Sequence, residues 1–190
     1  MKYNKEKYFD FSNNDYFMIT TNSLLDVDIK LFLKSNNLDI NNLCEIDQVH
    51  SSKIIFASSA KHYGKADGLI TNINKDNILL IQTADCIPMY VYNKKMYGLV
   101  HAGWRGIVQK IHCKAIEKII NHDSKINNIK IVLGPSIKSC CFEVRDDIIN
   151  NFDKRYIIYK NNKYFVDLTQ ILIDDLKNMG ILRNNISYSN

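Results

Sequence analysis

The sequence predicts a mixed fold of the α+β class, and three observations carry that prediction. Five short apolar runs follow one another between residues 45 and 102, separated by Asn, Lys or Gly. A four-residue apolar repeat then marks a helix over 104–121. The remaining elements follow without the strict strand–helix–strand alternation that a parallel α/β sheet requires.

Residues 16–22 read as a strand. Residues 26–36 read as a short helix with Asp26 as N-cap and Ile29, Phe32 and Leu33 on one side. Strands are expected near 45–57, 66–72, 77–84, 87–93 and 96–102. The helix over 104–121 buries Ile107, Ile111, Ala115 and Ile119. IKIVLGPS (129–136) is a buried strand ending in a Gly-Pro turn. Residues 143–152 are expected to be helical, 155–168 to form a hairpin about Asn161-Asn162, and 169–179 to form a helix stopped by Gly180. NISYSN at the end reads as the start of a strand. With 190 residues, no internal repeat and no Pro/Gly/Ser linker, the expectation is a single domain over 1–190.

The composition narrows the function. An apolar fraction of 46% supplies a sizeable core. The net charge of +5 is spread over lysines mixed with Asp and Glu, so no basic stripe marks a nucleic-acid partner, and weak attraction for anionic substrates is the most it implies. The opening MKYNKEKYFDF lacks the apolar stretch of a signal peptide, and no run approaches the ~20 apolar residues of a membrane span. A cytoplasmic, reducing setting is therefore expected. In it the five cysteines are core residues, ligands or nucleophiles before they are disulfides. No oligomeric state is read from the sequence.

Three segments place reactive side chains at the ends of apolar strands: DQVHSSKI (47–54), QTADCIPMYVY (82–92) and GLVHAGWRGI (98–107). If those strands are neighbours, His50, Cys86 and His101 converge. Two imidazoles and a thiolate suit Zn²⁺, with a fourth tetrahedral position left for water or substrate. The spacing matches no local zinc signature such as CxxC or HExxH, and two other readings stand beside it. In one, Cys86 is a small buried hydrophobe and each His is satisfied by backbone. In the other, Cys86 and His101 are the nucleophile and base of a metal-free cysteine hydrolase.

In HAGWRG, Gly103 and Gly106 flank Trp104 and Arg105 where a strand hands over to a helix. Backbone N–H groups there and the Arg105 guanidinium favour a phosphate or carboxylate, against the plainer reading of a surface Arg beside a packing Trp. His62 is expected in a polar loop, and His112 and His122 on a helix at the surface or core edge. Cys140-Cys141 are expected to pack in the core, and Cys44 and Cys113 to have no companions. Asp67, in the ADGLIT turn, is expected to hold a loop rather than to reach the site.

Taken together, QVHSSKI, ADGLITN, TADCIPMYVYN, GLVHAGWRGI, LGPSIKSCCFEV and DLTQILIDDLKNMGI resemble, in this order, the YfiH-like family. That family is also labelled multicopper polyphenol oxidoreductase or laccase-domain, and the resemblance runs from about residue 16 to the C-terminus. It implies a four-layer α/β/β/α sandwich with mixed sheets, shared with a bacterial toxin deamidase domain whose catalytic Cys and His occupy the TADC and VHAGW positions. It implies zinc on His50, Cys86 and His101. It also implies phosphorolysis of the purine nucleosides adenosine, inosine, guanosine and methylthioadenosine, with adenosine deaminase activity beside it. Phosphate is then expected at Arg105 and Gly103. The older polyphenol oxidase label calls for copper, but a multicopper oxidase needs many more His ligands than the five here. A link of some relatives to peptidoglycan-precursor editing suits the Cys86–His101 hydrolase reading. The family continues past NISYSN into a Cys-Thr motif and an Arg-rich FFSYRR-type segment, so a substrate pocket lacking that part is expected.

Overall fold

The computed structural model describes residues 2–4, 8–10, 19–21, 29–122 and 125–188. They fall in two compact units, Met1–Asn41 and Asn42–Asn190. In the first, β1 (Lys2–Asn4), β2 (Tyr8–Asp10) and β3 (Ile19–Thr21) form an antiparallel three-stranded sheet. The expected strand over 16–22 is seen at Ile19–Thr21, and its other positions lie outside the described residues. Helix α1 (Ile29–Ser35) has Leu33 buried and Ile29 and Phe32 half-buried, as its apolar spacing requires; its expected cap, Asp26, lies outside the described residues. The Leu38 N–H donates back to the Leu33 carbonyl at 2.9 Å while Asn37 turns left-handed at φ +56°, which closes the helix end.

The second unit holds β4 (Leu43–Asp47), β5 (Ile54–Phe56), β6 (Lys61–Lys65), β7 (Gly68–Asn72), β8 (Ile78–Leu79), β9 (Ile87–Tyr92) and β10 (Met96–Ala102). Helices α2 (Trp104–Val108) and α3 (Ile111–Ile120) follow, then β11 (Lys130–Leu133), β12 (Glu143–Val144) and α4 (Asp146–Ile149). The hairpin β13 (Ile157–Lys160)–β14 (Lys163–Val166), helix α5 (Leu168–Asn178) and β15 (Ile186–Tyr188) complete it. A mixed six-stranded sheet in the order β15-β11-β9-β10-β7-β5 is its centre. Strand β9 is buried at every residue, which its continuous apolar run IPMYVY dictates.

The two faces of this sheet carry different cores. Ile70 belongs to the large core shared with α2, α3 and α5, whereas its neighbour Leu69 packs in a second cluster with Cys44 and Ala57 under the small sheet β6-β4-β8. Successive residues of one strand point to opposite faces, so this alternation sets helices, main sheet and small sheet in successive layers of this unit. The α+β class with mixed sheets is thus as the sequence predicts.

Several details differ from expectation. The helix over 104–121 is two helices, because Lys110 turns left-handed at φ +61° and its ammonium reaches both Asp175 carboxylate oxygens on α5, at 2.7 and 2.9 Å. Ile107, Ile111, Ala115 and Ile119 are nonetheless all fully buried: an apolar period survives a break that restarts the helix on the same face. Residues 143–152 are only partly helical, since Glu143 and Val144 pair with Phe165 and Tyr164 of β14 and the chain turns helical only from Asp146. The expected strands over 45–57 and 77–84 shrink to β4 with β5 and to β8. His62 lies on strand β6, not in a loop, with its Nε2 3.0 Å from Asp47.

Other expectations hold. Asn161 and Asn162 both take positive φ, +53° and +57°, in a two-residue turn between β13 and β14, the geometry that suits Asn and the strand twist. Asp167 caps α5 by accepting from the Gln170 N–H at 2.8 Å, and Gly180 at φ +99° follows its end. Among the described residues, no helix is long and apolar enough to cross a membrane.

Candidate metal centre at the end of the central strands

Register brings the expected residues together. Strands β9 and β10 pair so that His101 lies opposite Pro88 and Ala102 opposite Ile87. Cys86, just before β9, and Gly103, just after β10, therefore meet at the same end of the sheet. Strand β7 borders β10 on its other side, with Val100 opposite Gly68, so Asp67 stands beside His101, whose backbone N–H donates to the Asp67 carbonyl at 2.8 Å.

His50 arrives from the loop between β4 and β5, and Asp67 is what shapes that loop. Its carboxylate is wholly buried and accepts from the backbone N–H groups of Val49 (3.3 Å), His50 (3.0 Å) and Ser51 (2.6 Å) and from the Ser51 hydroxyl (2.7 Å). This wrapping accommodates a His50 backbone at φ +56°, a conformation that non-glycine residues adopt at a cost. The loop is tied down elsewhere as well. The Gln48 side chain pairs with the Gln82 backbone, accepting from its N–H at 2.6 Å and donating to its carbonyl at 2.7 Å, which fixes the loop to the segment that leads to Cys86. Gly106 leaves room for the loop against α2, since a Cβ there would lie 3.0 Å from the Ser51 carbonyl.

The same carboxylate orients His101. The His101 Nδ1 lies 2.9 Å from Asp67 Oδ1, and because a carboxylate only accepts, Nδ1 carries a proton and Nε2 is the ring atom left to serve as a ligand. One ligand atom each from His50, Cys86 and His101 lie within 4.8 Å of one another. The Cys86 Sγ is 4.0 Å from His50 Nε2, and the two imidazoles meet edge to face with ring centroids 4.8 Å apart. His101 is buried, Cys86 half-buried and His50 exposed, so the cluster opens to the surface on the His50 side. Gly103 completes it by its lack of a side chain: a Cβ there would stand 3.0 Å from both Cys86 Sγ and His50 Cδ2.

The electrostatics favour a cation. Burial raises the Cys86 pKa, and the charges of Asp85 and Asp67 raise it further, so without a cation the thiol stays protonated. Burial would also push the Asp67 carboxyl up, but the bonds it accepts from His101, Ser51 and His50 outweigh that and hold it below its ordinary value. Asp67 therefore enters the site as a charged group.

Arg105 is exposed on α2, its guanidinium carbon 4.4 Å from the centroid of the Trp104 ring. The expected long-helix dipole beneath it is absent: α2 is five residues long, and Gly103 caps it without a side-chain bond. What remains at this position is the Arg105 charge itself.

Sequence reasoning assigned Asp67 to the loop, and the structure adds the imidazole. The signal lay in the order Asp-Gly at the start of an apolar strand, but its partner His101 is 34 residues away. His112 and Cys113 also depart from expectation. His112 is fully buried, its Nε2 2.8 Å from Asp175, and Cys113 joins them in a second group of possible metal donors. There Lys110 already neutralises Asp175, so the group ties α3 to α5. Cys140 and Cys141 are exposed, not packed in the core. His122 stacks on Phe56 with ring centroids 4.9 Å apart.

Fold and site together define a mixed α+β protein with a His-Cys-His cluster able to hold a metal. The chain belongs to the family described as multi-copper polyphenol oxidoreductase laccase, whose profile matches residues 23–190. It is 28% identical to a purine nucleoside phosphorylase of Clostridium acetobutylicum, over 100% of this chain and 85% of that protein. It is 31% identical to a purine nucleoside phosphorylase of Rickettsia prowazekii, over 92% of this chain and 78% of that one. An adenosine deaminase from an unknown prokaryotic organism is 32% identical over 47% of this chain and 35% of its own length. The crystal structure of Bacillus licheniformis YfiH superposes with a TM-score of 0.76 at 25% identity, covering 85% of this chain and 68% of the other.

Proposed function

We propose that this chain is a zinc-dependent purine nucleoside phosphorylase that acts on adenosine, inosine, guanosine and methylthioadenosine, with adenosine deaminase activity at the same site. One observation carries the reading: His50, Cys86 and His101 offer three donors within 4.8 Å, with Asp67 fixing the tautomer of one of them. The relatives named as phosphorylases and as a deaminase supply the reaction class.

The donor set fits zinc. Two imidazoles and one thiolate leave a fourth position, and an outer carboxylate on the buried imidazole is the usual support of a zinc-bound histidine. The copper of the family's label fits less well. The chain has five histidines, and among the described residues only His50 and His101 share a cluster, whereas a multicopper centre needs many more. The raised Cys86 thiol also counts against a metal-free hydrolase built on Cys86 and His101, because that chemistry needs the thiolate.

Bound at His50, Cys86 and His101, zinc supplies a Lewis acid and an open coordination position beside the substrate. The chain's residues do the rest. Asp67 takes the Nδ1 proton bond of His101 and keeps Nε2 aimed at the cluster. Arg105, two residues beyond Gly103, holds phosphate by its charge. A phosphate oxygen forms a bond to the ribose anomeric carbon as the glycosidic C–N bond breaks. The bonding pair leaves with the purine, which takes up a proton, and ribose 1-phosphate remains. In the deaminase reaction water replaces the purine amino group, which departs as ammonia.

Protein purified without added zinc is expected to carry one zinc per chain and to release purine from adenosine only when phosphate is present. Zinc-free protein whose Cys86 is freely alkylated would sink the proposal. Gly103→Ala probes the fit more finely: its Cβ forces Cys86 or His50 to shift, so zinc affinity measured against a competing chelator falls by about tenfold or more. Zinc affinity unchanged in that variant would place the metal elsewhere.

A further inference from the structure

The one pair of thiols in mutual contact among the described residues lies outside the metal cluster. Cys140 and Cys141 are both exposed, and their sulfurs are 2.8 Å apart. A tight turn holds them: the N–H groups of Cys141 and Phe142 both donate to the Lys138 carbonyl, at 2.9 and 3.0 Å, and Glu143 N–H donates to the Cys141 carbonyl at 2.9 Å. Upstream, Ile137 N–H donates to the Asp85 carbonyl at 3.0 Å and Gly134 N–H to the Pro88 carbonyl at 2.9 Å, so the turn is stitched to the segment that carries Cys86. The two cysteines line a surface cavity together with Asp85, Ser136, Ile137 and Lys138.

From this placement we infer that Cys140 and Cys141 form a binding site for a soft trivalent metalloid, an arsenic(III) or antimony(III) species, chelated by both sulfurs at the wall of that cavity. Three physical reasons support the assignment. Thiolates select soft acceptors. Adjacent cysteines on a fixed turn present their sulfurs on the same side, which suits a pyramidal centre with neighbouring bonds and disfavours a linear two-coordinate ion. The turn is already ordered by its backbone bonds, so chelation freezes little further motion.

The acid–base chemistry agrees. The hydrogen bond with the Cys140 thiol, some loss of solvation and the Cys140 charge raise the Cys141 pKa, so the pair resists double ionisation. A trivalent arsenoxide removes that obstacle, because two S–H bonds and the As=O bond are replaced by two As–S bonds and the protons leave with the oxygen as water. Arsenic stays trivalent throughout, and no oxidant or reductant is needed. The other cysteines lack such a partner thiol: Cys44 is buried, Cys86 faces His50, and Cys113 is pushed up to about 11 by burial and the Asp175 charge.

The test uses phenylarsine oxide and intact-protein mass spectrometry on the whole chain, which reads the adduct whatever the chain's catalytic activity. One phenylarsenic per chain is expected, released by a dithiol such as 2,3-dimercaptopropanol and not by a monothiol at the same thiol concentration. Cys140→Ser and Cys141→Ser are each expected to abolish the adduct, and Cys86→Ser to retain it. Both serines sit at exposed positions, and a thermal melt matching the parent verifies that each variant is folded. An adduct that persists in Cys140→Ser, one lost only in Cys86→Ser, or one released equally by a monothiol would overturn the assignment.

Discussion

Cys86→Ala is expected to remove zinc from the purified protein and, with it, phosphate-dependent release of purine from adenosine. The thiolate is one of only three donors in the cluster, and the other two are neutral imidazoles, so its loss takes away the one anionic ligand. Losing an outer partner of a metal ligand typically costs ~10–100-fold in affinity, and losing a ligand itself should exceed that range. Folding should change little. Cys86 is half-buried at the end of a strand, and a small truncation at such a place costs about 1 kcal/mol. Metal analysis, a chelator competition and a urea melt measured on one preparation separate the two effects. Stoichiometric zinc in the variant would refute the assigned ligand set.

The second large effect is expected at Asp67, and there stability and metal binding should fall together. Its buried carboxylate accepts five hydrogen bonds, four from the loop of His50 and one from the His101 ring. Asp67→Ala leaves the buried His101 ring and the part-buried loop donors unpaired, which costs about 3–5 kcal/mol in total, well below the sum of the separate bonds because the loop relaxes toward water. Freed from its carboxylate, His101 no longer has a fixed tautomer, and zinc affinity should drop by ~10–100-fold on that account alone. Asp67→Asn keeps the shape but presents an N–H₂ group to donors that need an acceptor, so it should fall between the two.

The folded state holds Asp67 below its ordinary pKa, so its contribution is full above the ordinary aspartate range and is lost as pH falls through the folded value. Acid titration of stability should therefore be steeper in the parent than in Asp67→Asn. Equal slopes would show that folding does not lower the Asp67 pKa.

How much of this was legible beforehand depends on the length scale of each interaction. Helix α5 and its stop at Gly180, the Asn161-Asn162 hairpin and the buried strand β9 follow from local chemistry, namely a capping aspartate, residues tolerant of positive φ and an unbroken apolar run. The break at Lys110 was not legible, because its cause is a carboxylate 65 residues later in the chain. His112 read as a surface or core-edge helix position for the same reason, since the group that receives its buried ring, Asp175, is equally remote. The two vicinal cysteines read as core because cysteine usually is, whereas a polar turn carries them outward.

The site divides along the same line. By itself the sequence offered the candidates, His50, Cys86, His101 and Arg105, and through its motifs the family to which the chain belongs. It also determined the α+β class, because hydrophobic period is a local property of the chain. Only the tertiary structure decided that a loop and the ends of two neighbouring strands bring three donors within 4.8 Å, that Asp67 serves both loop and imidazole, and that a side chain at Gly103 would crowd two of the ligands. The physical reason is register. Which residue of β10 lies beside which residue of β9 and β7 is set by long-range pairing and packing, and a slip of one position would turn His101 to the other face of the sheet.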